Sequence, residues 1–91
     1  MPLLVDVVAA DHLVWSGEAA MVVARTVDGE VGILPGHTPV LSLLAPGDLR
    51  VEPLDGDPVV ATLTGGFLSV DHDRVTVVSS TAEVAPEPAD L

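Results

Sequence analysis

Turn signals interrupt this 91-residue chain every few residues, and no stretch between them carries a helical pattern of ten residues or more. That rhythm limits the fold more than any other feature, because short runs at regular spacing between turn residues are the signature of strands. The runs fall at residues 3–9, 13–16, 19–27, 30–34, 48–53, 59–64, 67–70 and 74–79. Between them stand Ala10-Asp11-His12, Gly17, Asp28-Gly29, Pro35-Gly36, Pro46-Gly47, Leu54-Asp55-Gly56-Asp57-Pro58, Gly65-Gly66 and Asp71-His72-Asp73. Asp-Gly between two apolar runs is a strong local hairpin signal, since glycine readily accepts positive φ.

Two of the runs alternate cleanly. Leu49 and Val51 share one face against Arg50 and Glu52, and Val75 and Val77 oppose Arg74, Thr76 and Val78. A strand with one wet side needs this period of two, and a slip by one residue would turn its apolar set outward. The predicted architecture is all-β, an antiparallel β-sandwich or flattened β-barrel formed by residues 1–82. Residues 38–45 are apolar but short, so periodicity leaves both a strand and a helical turn open. Gly65-Gly66 reads as a tight bend or bulge between two paired strands. From Thr81 the pattern stops, and residues 83–91, an acidic tail with two prolines, read as disordered.

The side chains available for a core are small. The chain holds 17 Val, 12 Leu and 10 Ala but a single Ile, and its only aromatics are Trp15 and Phe67. β-Branched residues suit a pleated, half-buried surface, so the composition agrees with the strand pattern. Trp15 either fills the core or anchors an interface, with the core favoured because few other large side chains exist.

Charge excludes several functions. Fourteen acidic residues face only Arg25, Arg50 and Arg74, giving a net charge of −11, and there is no lysine. A P-loop and a Schiff-base enzyme both need a lysine. Nucleic acid and anionic lipid head groups both attract basic surfaces, which this chain lacks. A partner with a basic surface fits better. The absence of cysteine removes disulfides and thiolate metal sites and suits a reducing cytosol. The first residues lack the basic segment and apolar run of a signal peptide. No run approaches the roughly 20 apolar residues of a spanning helix.

Catalytic constellations are weak. His12 follows Asp11 and His72 sits between Asp71 and Asp73, but no two histidines stand at a metal-binding spacing such as i, i+2 or i, i+4. None of the serines lies in a Gly-x-Ser-x-Gly elbow, and no serine has a local reason to sit beside His37. Gly65-Gly66 precedes a strand, whereas a phosphate loop opens a helix. The residues imply no cofactor, no metal and no catalytic group.

Seven landmarks in fixed order do point somewhere. They are Asp6-Val7-Val8, Trp15-Ser16-Gly17-Glu18, Gly29-Glu30-Val31-Gly32-Ile33-Leu34-Pro35-Gly36-His37, Pro46-Gly47, Gly65-Gly66-Phe67-Leu68-Ser69-Val70, Val75-Thr76-Val77 and Ala82-Glu83. With them the chain resembles the epsilon subunit of the rotary, proton-driven ATP synthase, over residues 5–83. The resemblance implies a non-catalytic β-sandwich that docks on the gamma subunit, sits on the polar loops of the membrane c-ring, and couples proton flow to ATP synthesis. By the same resemblance Asp28, Gly29, Glu30 and Val31 meet the c-ring, Ala9 and His37 lie near the gamma subunit, and the protein is peripheral on the cytoplasmic face of the plasma membrane. Similar proteins often continue into two C-terminal helices that hinder ATP hydrolysis. No such pattern follows Thr81 here, so that arm is not expected. Two other readings remain from the residues alone: a free-standing sandwich that binds a ligand or a basic protein, and a small metal-dependent hydrolase.

Overall fold

The computed structural model describes residues 2–10 and 12–84, and every regular element among them is a strand. In chain order these are β1 (Leu3–Ala9), β2 (His12–Thr26), β3 (Gly29–Ile33), β4 (Val40–Leu44), β5 (Gly47–Pro53), β6 (Val59–Leu63), β7 (Gly66–Asp71), β8 (Arg74–Val78) and β9 (Ala82–Val84). The expected tail beyond residue 84 lies outside the described residues, as does Asp11.

One layer runs β4-β7-β8-β1 and the other runs β3-β2-β5-β6-β9. The 15-residue β2 belongs to both. Its first half pairs with β1, from Ala9↔His12 to Leu3↔Ala19, and its second half pairs with β5 and β3. At its far end Thr26 also pairs with Leu44 of β4. The path β1-β8-β7-β4-β2 therefore returns to β1, which closes a flattened barrel and leaves that layer without a free edge. The β1–β8 pair is parallel, while the other pairings are antiparallel.

Alternation decides which residues close the core. Leu3, Val5 and Val7 of β1, Val75 and Val77 of β8, and Leu68 and Val70 of β7 are all essentially buried. They meet Val22, Ile33, Leu49 and Val51 from the other layer in one aliphatic cluster. Trp15 is half-buried and packs against that cluster, which agrees with its predicted role in the core. Arg50 and Glu52 face outward as their alternation requires, 3.9 Å apart.

Several expectations change. Gly17, read as a stop between runs 13–16 and 19–27, lies inside a continuous β2. A Cβ there would come 3.0 Å from Cη2 of Trp15, so the glycine leaves room for the indole to lie over its own strand. Within residues 38–45 the strand is Val40–Leu44, because β7 pairs with β4 along the whole of β4, from Val40↔Val70 to Leu44↔Gly66. Gly65-Gly66 bends the chain between β6 and β7, but those two strands do not pair with each other and stand in different layers. The pattern also runs past Thr81: β9 pairs with β6, from Leu63↔Ala82 to Ala61↔Val84, across the expected boundary at residues 82 and 83.

Candidate functional site

The β2–β3 hairpin is built as an exposed point. Val27 and Asp28 form its tip, and Thr26↔Gly29 is the first pair below it. Thr26 holds the tip from inside: its Oγ1 donates to the Gly29 carbonyl at 2.8 Å and accepts from the Asp28 amide at 3.1 Å. Asp28, Gly29 and Glu30 are exposed. Val31 is half-buried and packs against the core, so it braces the hairpin. Glu30 stands directly across from Arg25.

Thr26→Val keeps the shape of the side chain but orphans the Asp28 amide and the Gly29 carbonyl. We expect a loss of about 1–2 kcal/mol, or roughly 5–15 °C in thermal midpoint. A melting curve that superimposes on the parent's would refute this role for Thr26.

The second feature is the corner between β3 and β4. Leu34-Pro35-Gly36-His37 forms a tight turn, with the His37 amide donating to the Leu34 carbonyl at 3.1 Å. Proline at the second position and glycine with φ +86° at the third define a type II turn. The Gly36 amide donates to Oδ1 of Asp73 at 2.7 Å, which ties the corner to the β7–β8 turn. The half-buried His37 ring donates from Nδ1 to the Thr38 carbonyl at 2.6 Å.

The corner feeds β4, whose two faces are both largely apolar. Val40 and Leu44 turn toward the core, whereas Leu41 and Leu43 are 72% and 65% exposed. Pairing registers carry this surface across the layer: Leu43↔Phe67, Phe67↔Val78 and Val78↔Val8 form one outward apolar row over four strands. At about 4.8 Å per strand the row is roughly 14 Å wide. Leu41, Ser42, Leu43 and Phe67 border a shallow depression at its β4 end. The next row, Leu41↔Ser69↔Thr76↔Asp6, is polar apart from Leu41, so the apolar row has a wet border. In that border Asp6 accepts from Ser16 Oγ at 2.6 Å and from Arg74 Nη1 at 3.4 Å.

Ala9 and His37 lie at opposite ends of this layer. The corner meets the turn that starts β8, and β1 runs parallel to β8, so Ala9 closes the far end. Ala9 as a whole is 3% exposed and counts among the core residues, so any partner there meets its neighbours. Sequence reasoning missed the apolar row. The available signal was the run Val40-Leu41-Ser42-Leu43-Leu44, which is apolar on both faces only if it is a strand. Among the described residues, no three His, Asp or Glu side chains gather as a metal site, and no helix is long and apolar enough to cross a membrane.

A closed sandwich whose regular elements among the described residues are all strands, with an acidic point and a wet-bordered apolar row, has the surfaces of a module in a larger assembly. Residues 2–85 match the family described as the ATP synthase, Delta/Epsilon chain, beta-sandwich domain, and the chain belongs to that family. It is 48% identical over 87 residues to the ATP synthase epsilon chain of Micrococcus luteus, covering 96% of each chain. With the epsilon chain of Frankia casuarinae it shares 48% over 84 residues, 92% of this chain and 99% of the relative. A chain in the cryo-EM structure of the Euglena gracilis mitochondrial ATP synthase, OSCP/F1/c-ring in rotational state 1, superimposes with a TM-score of 0.86 at 28% identity. That match covers 91% of this chain and 53% of the Euglena one, so this chain spans about half its length. A chain of the Tetrahymena thermophila central stalk and c-ring structure shares the fold at TM-score 0.77 and 14% identity, with 91% and 66% covered.

Proposed function

We propose that this chain works as a central-stalk subunit of an ATP synthase, joining the gamma subunit to the c-ring so that proton flow drives ATP synthesis. It takes no part in the chemistry and needs no cofactor. The outward row Val8–Val78–Phe67–Leu43, with Leu41 and the His37 corner beside it, seats against gamma. The Asp28-Gly29-Glu30 point, braced by Val31, meets the c-ring loops. In this reading the protein sits peripherally on the cytoplasmic face of the plasma membrane, held there through the complex.

The observation that carries the reading is the apolar row. Contiguous apolar surface with a polar border marks an interaction face, and here Leu41, Leu43 and Phe67 are exposed while Val8 and Val78 are half-buried. The acidic hairpin suits a basic ring loop, and charge complementarity of this kind fixes register and speeds association. The type II turn and Pro39 stiffen the path into β4, so little torque is lost in bending.

The test is co-purification with the synthase, followed by depletion. Recovery of gamma and c subunits, with coupled ATP synthesis lost on depletion, is the expected result. Recovery of no synthase subunit would turn the reading toward a free-standing binding module. A second measurement addresses the hairpin. Glu30→Gln removes the charge without setting two arginines face to face, as Glu30→Arg would do beside Arg25. It should weaken c-ring binding several-fold in low salt, with a smaller difference at about 150 mM salt, and leave thermal stability nearly unchanged. Equal c-ring affinity at low salt would remove Glu30 from the contact.

A further inference from the structure

The β7–β8 turn contains an anomaly. Asp71↔Arg74 pair across it, so His72 and Asp73 form its two-residue loop, with φ of +50° and +62°. Such primed turns suit the twist of a hairpin, but the second position is normally glycine. A non-glycine residue there holds a conformation that L side chains adopt at a cost. What Asp73 has and glycine lacks is a carboxylate, and its Oδ1 accepts the Gly36 amide at 2.7 Å from 37 positions away in the sequence. Its backbone carbonyl meanwhile accepts the Leu4 amide at 2.8 Å. One residue therefore joins the β7–β8 turn, the start of β1 and the Pro35-Gly36-His37 corner.

The corner crosses from the layer of β3 to the layer of β4, and no ladder holds it. It is the segment through which His37 and the outward face of β4 are set relative to β7. A charge-assisted bond to a backbone amide is a strong fastening for such a segment. From this we infer that Asp73 is a positioning residue for docking: its carboxylate locks the corner so that His37, Leu41 and Leu43 present one rigid surface. The inference rests on the gamma-docking reading above. It adds the residue that prepares the surface without itself touching the partner, and a prepared surface loses less freedom on binding.

Asp73→Gly and Asp73→Asn separate the lock from the turn. Glycine relieves the backbone while removing the acceptor, so the fold should survive with a thermal midpoint close to the parent's. Asparagine tolerates the same φ and keeps an oxygen acceptor. With purified gamma subunit as the probe, Asp73→Gly should bind roughly five- to tenfold more weakly, and Asp73→Asn within about threefold of the parent. In the free chain, exchange of the Gly36 amide should quicken about tenfold in Asp73→Gly and much less in Asp73→Asn. A gamma affinity lowered in both variants alike, or in neither, would overturn the inference, as would Gly36 exchange unchanged by glycine. Failure of the parent chain to bind gamma would instead remove the docking reading. The exchange measurement on the free chain would still decide whether Asp73 holds the corner.

Discussion

Gly66→Ala is expected to cost the protein most or all of its stability. A Cβ built at Gly66 would fall far inside van der Waals contact with the Val78 carbonyl oxygen and 2.9 Å from the Ser79 Cα. Both obstacles are backbone, so neither can swing aside as a side-chain tip could. The φ of +124° adds strain that no L residue escapes. Gly66 also opens β7 by pairing with Leu44, so relieving the clash would displace the β7–β8 and β7–β4 ladders together. The loss should exceed about 3–4 kcal/mol, above the range of most single substitutions. For a domain of this size that lowers the thermal midpoint by roughly 15–30 °C.

Gly65→Ala is the internal control. Its φ is similarly positive at +119°, but the nearest atom to a new Cβ is Leu44 O at 3.5 Å, an ordinary contact. It should lose about 1–3 kcal/mol, the strain of a side chain at that φ alone. Urea unfolding of the two variants side by side decides the matter, and equal losses would show that conformational strain, not the clash, sets the cost.

Leu43→Asp should leave the fold intact and abolish gamma binding. Leu43 is 65% exposed, so little core packing is lost. Its position opposite Phe67 places a carboxylate against the ring at the β4 end of the apolar row, where docking would have to strip it of water with no partner charge beside it. Positions that fill a pocket and lose their water on docking carry most of an interface's affinity, commonly about 2 kcal/mol or more per residue, and Leu43 borders the depression it shares with Leu41 and Phe67. A drop of at least about 100-fold in affinity for purified gamma, with a melting temperature within a few degrees of the parent's, is the expected result. Binding retained within about threefold would mean that gamma sits elsewhere and that the row serves another partner.

The parts of this architecture visible in the sequence were those fixed by local rules. β5 and β8 were readable because each has one wet face, so Leu49/Val51 and Val75/Val77 separate from their polar neighbours. The β2–β3 hairpin was readable because the Asp28-Gly29 chemistry is local. β4 was not, because Leu41 and Leu43 face solvent and look like Val40 and Leu44, so no alternation survives; only pairing with β7 makes it a strand. Gly17 misled for a different reason. Glycine usually weakens a strand, and the indole that occupies its vacant side comes from Trp15, two residues back on the same face. The parallel β1–β8 pair and the β6–β9 pair join runs whose partners no local pattern specifies.

The candidate site divides along the same line. The hairpin residues Asp28, Gly29 and Glu30 are exposed as the turn chemistry requires, whereas Ala9 points into the core and Val31 partly so. Of the apolar row only the β4 end left a trace in the sequence, the doubly apolar run at residues 40–44; the rest is assembled from β1, β7 and β8 by register.

One long strand runs from the acidic tip into both layers, and this has a mechanical result. Sheet bonds lie crosswise to the strand, so a tug along β2 at Asp28 strains its rungs to β1, β3 and β5 in shear and all at once. A ribbon peeled from its end gives way one rung at a time; a ribbon pulled lengthwise does not. The tip is thus the handle of a tie rod, and the barrel yields as a single body or not at all.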